Sequence, residues 1–245
     1  MALQKGQRLR EAGQFEVAAV GQIKSAGDNH LLAPRMNAPK FEIETINAGS
    51  SADSDAQRLK GKNYGGLQED LMTLDSAIVD VGASNVEEFI KQMGQFDGSH
   101  EEFDYFVVPA VSEKKQQIDT LNTIRTLADL GVPAKKIRVV FNKVELEDAN
   151  DVPRLFAMIF GFHEAEKRFT LRPEAVVFKN EIFDRLRTLK KTVSEIVADE
   201  TDYRAMLREA KDEDAKTHAV SMISAQRLAK SANKNLDDVY KALFK

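Results

Sequence analysis

The sequence predicts an α/β fold: a mostly parallel sheet flanked by helices on both faces, followed by a helical C-terminal region. Three observations carry this. Short runs rich in Val, Ile and Phe recur along the chain. Several of them show no polar alternation, as strands covered on both faces require. Segments with helical spacing stand between them, so each strand returns through a crossover.

Strand-length apolar runs lie at 15–20, 41–46, 76–81, 103–108, 137–141 and 175–178. Helical spacing follows the third run at 86–93 and the fourth at 114–130. The latter meets Gly131, a natural helix stop, with Pro133 just beyond. A further helix is expected over 153–162. The segment 47–55 is rich in Gly, Ser and Asp and reads as a long connection. From about Phe183 the pattern changes. Leu186, Leu189, Val193, Ile196 and Val197 fall at helical spacing, and Met222, Ile223, Leu228, Leu236, Val239, Tyr240 and Leu243 suggest one or two more helices. The expected division is therefore an α/β domain over 1–182, whose first 29 residues form an atypical head, and a helical region over 183–245.

Hydrophobic residues make up 42% of the 245 residues, enough for a sizeable core. The chain has no cysteine, which excludes disulfides and thiolate metal sites and fits a reducing cytoplasm. Four histidines argue against a His-rich metal site. No apolar run approaches the roughly 20 residues a membrane-spanning helix needs. The charged residues 1–10 have no apolar stretch behind them, so neither a signal peptide nor an anchor is expected. A net charge of −4 excludes a wholly basic nucleic-acid binder.

The strongest local signal is AIVDVGASN at 77–85. An apolar strand delivers Asp80 to its carboxyl end and a small turn follows. In P-loop NTPases an Asp here holds the Mg²⁺ shell, and a Gly, here Gly82, lets the next amide reach the γ-phosphate. The competing explanation is an Asp that caps the helix beginning near Val86. A second block, 103–144, holds a strand, a Pro-containing turn, a long amphipathic helix, a Gly-Val-Pro break and a strand ending in Asn142. This block resembles ParA-type ATPases, where the corresponding Asn reads the adenine edge through its paired donor and acceptor. A turn residue after a strand is the other explanation for Asn142.

HLLAPR at 30–35, ETINA at 44–48, the 80–87 segment and GSHE at 98–101 look, in that order, like the StbB-type plasmid-stability proteins of the ParA/MinD family. The resemblance covers roughly 24–152. It implies a P-loop NTPase-like fold, ATP and Mg²⁺ as cofactors, and a nucleotide-dependent homodimer. It also implies a partner protein in plasmid stability, partition, conjugation or DNA segregation. The family's phosphate loop ends in Gly-Lys-Thr or Gly-Lys-Ser. The matching stretch here is VAAVGQIKS at 17–25. Lys24 and Ser25 fall in register with the family's phosphate-binding lysine and metal-binding hydroxyl, and Gly21 survives. Ile23 replaces the Gly before the lysine, and its branched side chain restricts a loop that must wrap a phosphate. Ala19 stands at the family's signature lysine. An ordinary strand-to-helix turn therefore stays open beside phosphate binding, and so do a degenerate loop and a non-ancestral start over residues 1–29.

By the resemblance Lys24 and Asp80 are the catalytic residues, Gly21, Lys24, Ser25, Gly82 and Asn142 bind nucleotide, and Ser25 and Asp80 hold the metal. Asn47 occupies a switch position where many relatives carry Asp. It cannot act as a base, so fast hydrolysis is not expected. Asp53 and Asp55 lie nearby as substitutes or as members of an exposed loop. Three functions remain: a ParA/StbB-like ATPase, a nucleotide-independent adaptor, and a small-molecule ligase. Basic clusters at Lys114-Lys115, Lys135-Lys136-Arg138 and Arg185-Arg187-Lys190-Lys191 are candidates for non-specific DNA contact, provided they share a face. The amphipathic segment 236–244 is expected to pack on the core or on a partner helix rather than on a membrane, because Asp237 and Asp238 interrupt its basic face.

Overall fold

Apolar residues on both sides of a strand demand cover on both sides, and the computed structural model provides it. It describes residues 16–20, 30–44, 57–60 and 64–244, with the backbone alone at 16–20, 44 and 57–60. Seven strands form one sheet: β1 (Glu16–Val20), β2 (Lys40–Glu44), β3 (Gln57–Lys60), β4 (Ala77–Val81), β5 (Tyr105–Ala110), β6 (Ile137–Val144) and β7 (Val176–Phe178). Their order is β3-β2-β4-β1-β5-β6-β7, and every pairing is parallel.

The two faces share the buried residues by strand alternation. Ala77, Val79 and Val81 of β4, Phe106 and Val108 of β5, and Val139 and Phe141 of β6 join the larger core. Its cover is α2 (Tyr64–Leu71), α3 (Val86–Gln95), α4 (Lys114–Asp129), α5 (Val152–Leu155) and α6 (Ala157–Glu166). The intervening Ile78, Val107, Val140 and Val177 face the other way, onto Leu31 and Leu32 ahead of α1 (Ala33–Met36), and onto Leu236, Val239 and Leu243. Those last three belong to α10 (Glu213–Phe244), a helix of 32 residues. A third cluster joins α10 to α7 (Ile182–Leu189) and α8 (Val193–Ala198), and α9 (Tyr203–Glu209) packs beside them. Segment 236–244 thus packs on the core.

All six expected strands form, with shifted ends. The unforeseen seventh, β3, reads Gln-Arg-Leu-Lys and lies at the sheet edge. The helix expected over 153–162 is two helices. Phe156, fully buried, leaves helical geometry at φ −109°, ψ 34°, and its ring centroid lies 4.7 Å from that of Phe141 in a tilted contact. Gly131 ends α4 as expected. At φ 103° its N–H donates to the Ala128 carbonyl while Val132 N–H donates to Leu127, a Schellman closure that a residue with a Cβ would strain. The expected loop at 47–55 lies outside the described residues.

Candidate functional site

In an open parallel sheet, ligands bind beyond the carboxyl ends of the strands, where successive connections leave in opposite directions. Here that point is β1. It lies between β4 and β5; the chain goes from β1 to β2 on one side, and from β4 to β5 on the other. The registers Ala19↔Asp80 and Val20↔Val81 set the end of β1 level with the end of β4. Gly21, Lys24 and Ser25 follow β1 but lie outside the described residues, as do Ile23, Asn47, Asp53 and Asp55. Of the expected site residues the structure therefore describes Asp80, Gly82 and Asn142.

Asp80 lies on the same sheet face as Ile78, the face that α1 and α10 cover in part. Its register partner is Glu42, and Lys40 sits two residues earlier on β2. The Lys40 ammonium lies 3.0 Å from the Asp80 carboxylate and 3.0 Å from that of Glu42. Lys40 and Glu42 are largely buried, whereas the Asp80 side chain keeps 31% of its surface. Two carboxylates brought together on one face repel, and the ammonium between them removes that repulsion. Asp80 does not cap α3; the cap position there is Asn85. Asp80 and a hydroxyl such as that of Ser25 are suitable oxygen donors for Mg²⁺, which favours one or two carboxylates with substrate phosphates. Among the described residues no group of three or more acidic, His or Cys side chains is placed to hold a metal.

Gly82 has an ordinary φ of −57°, so it is not required for conformational freedom. Close approach favours it instead: an added Cβ would come within 3.3 Å of the Ile43 carbonyl, a tight contact. That carbonyl accepts the Gly82 N–H at 3.0 Å and the Asn85 side-chain amide at 3.3 Å. The turn after Asp80 is thus fastened to the end of β2.

Asn142 is 2% exposed and precedes the end of β6 by two residues. Its Oδ1 accepts the N–H of Lys143 at 2.9 Å. Lys143 adopts φ 59°, and the β6–β7 register shifts there. A left-handed lysine within a strand end is a conformation few non-glycine residues take. It turns the exposed lysine out at the carboxyl edge. Two strands separate β4 from β6, and the registers set Arg138 level with Asp80, so Asn142, four residues further along β6, stands about 19 Å from Asp80. The loop from β5 into α4 is held between them by buried Gln117, whose amide donates to the carbonyls of Ser112 and Leu155 at 2.8 and 2.9 Å. Its Oε1 has no hydrogen-bond partner among the described residues.

Lys40, Glu42, Asn85, Lys143 and Gln117 are the site neighbours that sequence reasoning missed. The alternation Lys-Phe-Glu-Ile over 40–43 was the available signal, since charges on one face of an internal strand need partners. The segments HLLAPR at 30–35 and GSHE at 98–101 hold structural roles. Arg35 donates to Asp237, Asn233, and the carbonyls of His30 and Leu31, tying α1 to α10. Gly98 takes φ 79°, and buried Ser99 links the Tyr64 hydroxyl to the Met93 carbonyl at 2.9 Å each. Burial pushes the Tyr64 hydroxyl up to about 12.

The basic clusters do not share an end of the sheet. Lys114 and Lys115 begin α4, after the carboxyl end of β5, whereas Lys135, Lys136 and Arg138 lead into the amino end of parallel β6. Lys136 donates to the carbonyls of Glu101 and Phe103, and Arg138 stacks over the Tyr105 ring at 4.9 Å. Arg185 pairs with Glu181, and Lys191 with Asp199. No described helix is long and apolar enough to cross a membrane. No family model and no curated protein matches the chain.

Proposed function

We propose that this chain is a P-loop NTPase-fold protein of the ParA/MinD type, similar to the StbB group, that binds ATP and Mg²⁺ in plasmid maintenance or positioning and turns ATP over slowly or not at all. The observation that supports this best is the strand order. The strand preceding the candidate phosphate loop lies directly beside the strand bearing Asp80, and β6, which by the resemblance carries the base-reading Asn142, is the second strand from β1 on the other side. Bound there, the metal would be held by Ser25 and Asp80 and would neutralise phosphate charge. Lys24 would pair with the phosphates, Gly82 would allow their close approach, and Asn142 would offer its amide to the adenine edge. The homodimer, the partner protein, non-specific DNA contact and a cytoplasmic location belong to the same proposal and rest on the family resemblance. Fold analogy supports the scaffold more firmly than the chemistry.

A nucleotide-independent adaptor is the second reading, and one observation favours it. The described site groups are already engaged within the protein: Asp80 by Lys40, the Gly82 amide by Ile43, and Asn142 Oδ1 by Lys143. Calorimetric titration with ATP–Mg²⁺ separates the two. Micromolar binding, weakened by about tenfold or more in Asp80→Ala and Asn142→Ala, is the expected result, since each loses a charge-assisted or paired contact. Heat-silent titration at millimolar ATP, with no thermal stabilisation, would leave the adaptor.

A further inference from the structure

Helices α9 and α10 enclose a notch of about 260 Å³ that the nucleotide proposal does not use. Its lining includes Thr201, Asp202 and Gln226, and three exposed cations: Arg204 from α9, and Arg227 and Lys230 from α10. The two α10 cations are three residues apart and so lie on neighbouring positions of one helix face, where like charges repel. None of the three cations has an ion pair or a side-chain hydrogen bond among the described residues. Four other cations of the C-terminal helices do have a carboxylate partner: Arg185 has Glu181, Lys191 has Asp199, Lys216 has Glu213 and Lys241 has Asp238.

The nearby carboxylates are turned to other work. Asp202 accepts the Ala205 N–H at 2.9 Å and caps α9. Asp199 takes the Lys191 ammonium, the Tyr203 hydroxyl and the Thr201 N–H, which together hold it far below the usual carboxylate range. Gln226 donates to the Asp199 carbonyl at 2.9 Å and fixes the floor between the helices. The result is a small concavity lined by three cations and one carboxylate, with a net positive charge.

We infer that this notch is a binding site for a compact oxyanion, a single phosphoryl group of a small molecule. Two guanidinium forks and an ammonium match the charge and the donor geometry of phosphate. The volume falls below that of a drug-sized pocket and suits one phosphoryl group better than a nucleotide. A nucleic-acid backbone fits less well. Glu200 and Asp202 precede α9 and Glu209 ends it, and Asp212, Glu213 and Asp214 follow in the turn to α10. An extended polyanion laid along this acidic stretch would meet more carboxylates than cations, whereas a single phosphoryl group meets only the notch lining.

The test is a titration of the full chain with inorganic phosphate at constant ionic strength, followed by amide and arginine Nε signals in nuclear magnetic resonance. Saturable shifts confined to residues of α9 and the middle of α10 are expected. Arg204→Gln and Arg227→Gln should each weaken binding by about tenfold, the loss of one charge-assisted contact, while Lys234→Gln, outside the notch, changes nothing. Shifts that never saturate or spread over all surface cations would overturn the site. So would a short DNA duplex that moves these signals where phosphate does not. If a variant fails to fold, the titration of the unaltered chain decides alone.

Discussion

His30 is a base held neutral by its surroundings. Burial first, and the Lys40 ammonium second, bring its pKa down to about 4, against a smaller opposing pull from Glu195. Its Nδ1 is buried with no hydrogen-bond partner among the described residues, and its ring lies 6.1 Å from that of Phe183. The unfolded chain takes up a proton at this residue near pH 6.5, the folded chain only near 4, so between those values the unfolded state holds more protons. Stability is therefore full above pH 6.5 and falls as pH drops toward 4, by up to about 3 kcal/mol. His30→Phe removes the titration and keeps an aromatic ring against Phe183. Thermal midpoints recorded from pH 7 to 4 should decline less steeply in the variant than in the parent chain. Equal slopes would assign the acid sensitivity to another group.

Strand β7 shows how an element is completed from a distance. It has only three residues and forms the sheet edge beyond β6. Its outer backbone groups are met by one side chain of α10: Asn235 accepts the Phe178 N–H at 3.0 Å and donates to the Val176 carbonyl at 2.9 Å. A side-chain amide thus stands in for a neighbouring strand and closes an edge open to unwanted pairing. Asn235→Ala should lower stability by about 1–2 kcal/mol and speed hydrogen exchange at Phe178 more than in β5, which is central. Unchanged exchange at Phe178 would mean that the edge is held by packing alone. The sequence made β7 legible through its apolar run but not its seal, which lies 57 residues away. The same limit applies at the candidate site. Asp80 was legible because an apolar strand delivers it to an edge. Lys40 was not, because β2 and β4 are adjacent in the sheet although β3 intervenes in the chain. β3 itself carries no apolar pattern, as a short edge strand need not, and the break at Phe156 follows from packing against Phe141 rather than from any local breaker.

Helix α10 decides whether the molecule behaves as one unit. The sequence reading drew a division at 182/183, where composition and periodicity change. Yet Leu236, Val239 and Leu243 are fully buried in the cluster that covers one face of the sheet, while Ala225, Ala229 and Ala232 of the same helix lie in the cluster with α7 and α8. The small alanines let α7 and α8 approach closely, and the larger residues fill the wider space above the sheet. Arg35 adds a polar tie, joining the helix to the segment that leads into β2. A continuous helix transmits disorder along its length, because its hydrogen bonds form cooperatively. A cavity made over the sheet should therefore weaken the helical region as well. Leu236→Ala is expected to cost about 2–5 kcal/mol, and denaturant unfolding followed by far-ultraviolet circular dichroism should coincide with that reported by Tyr203, which begins α9 and sets its ring against His218 of α10. Two separated transitions, with Tyr203 retained after the sheet is lost, would make 183–245 an independent domain. A single shifted transition would make α10 the part of the chain through which the sheet and the C-terminal helices depend on each other.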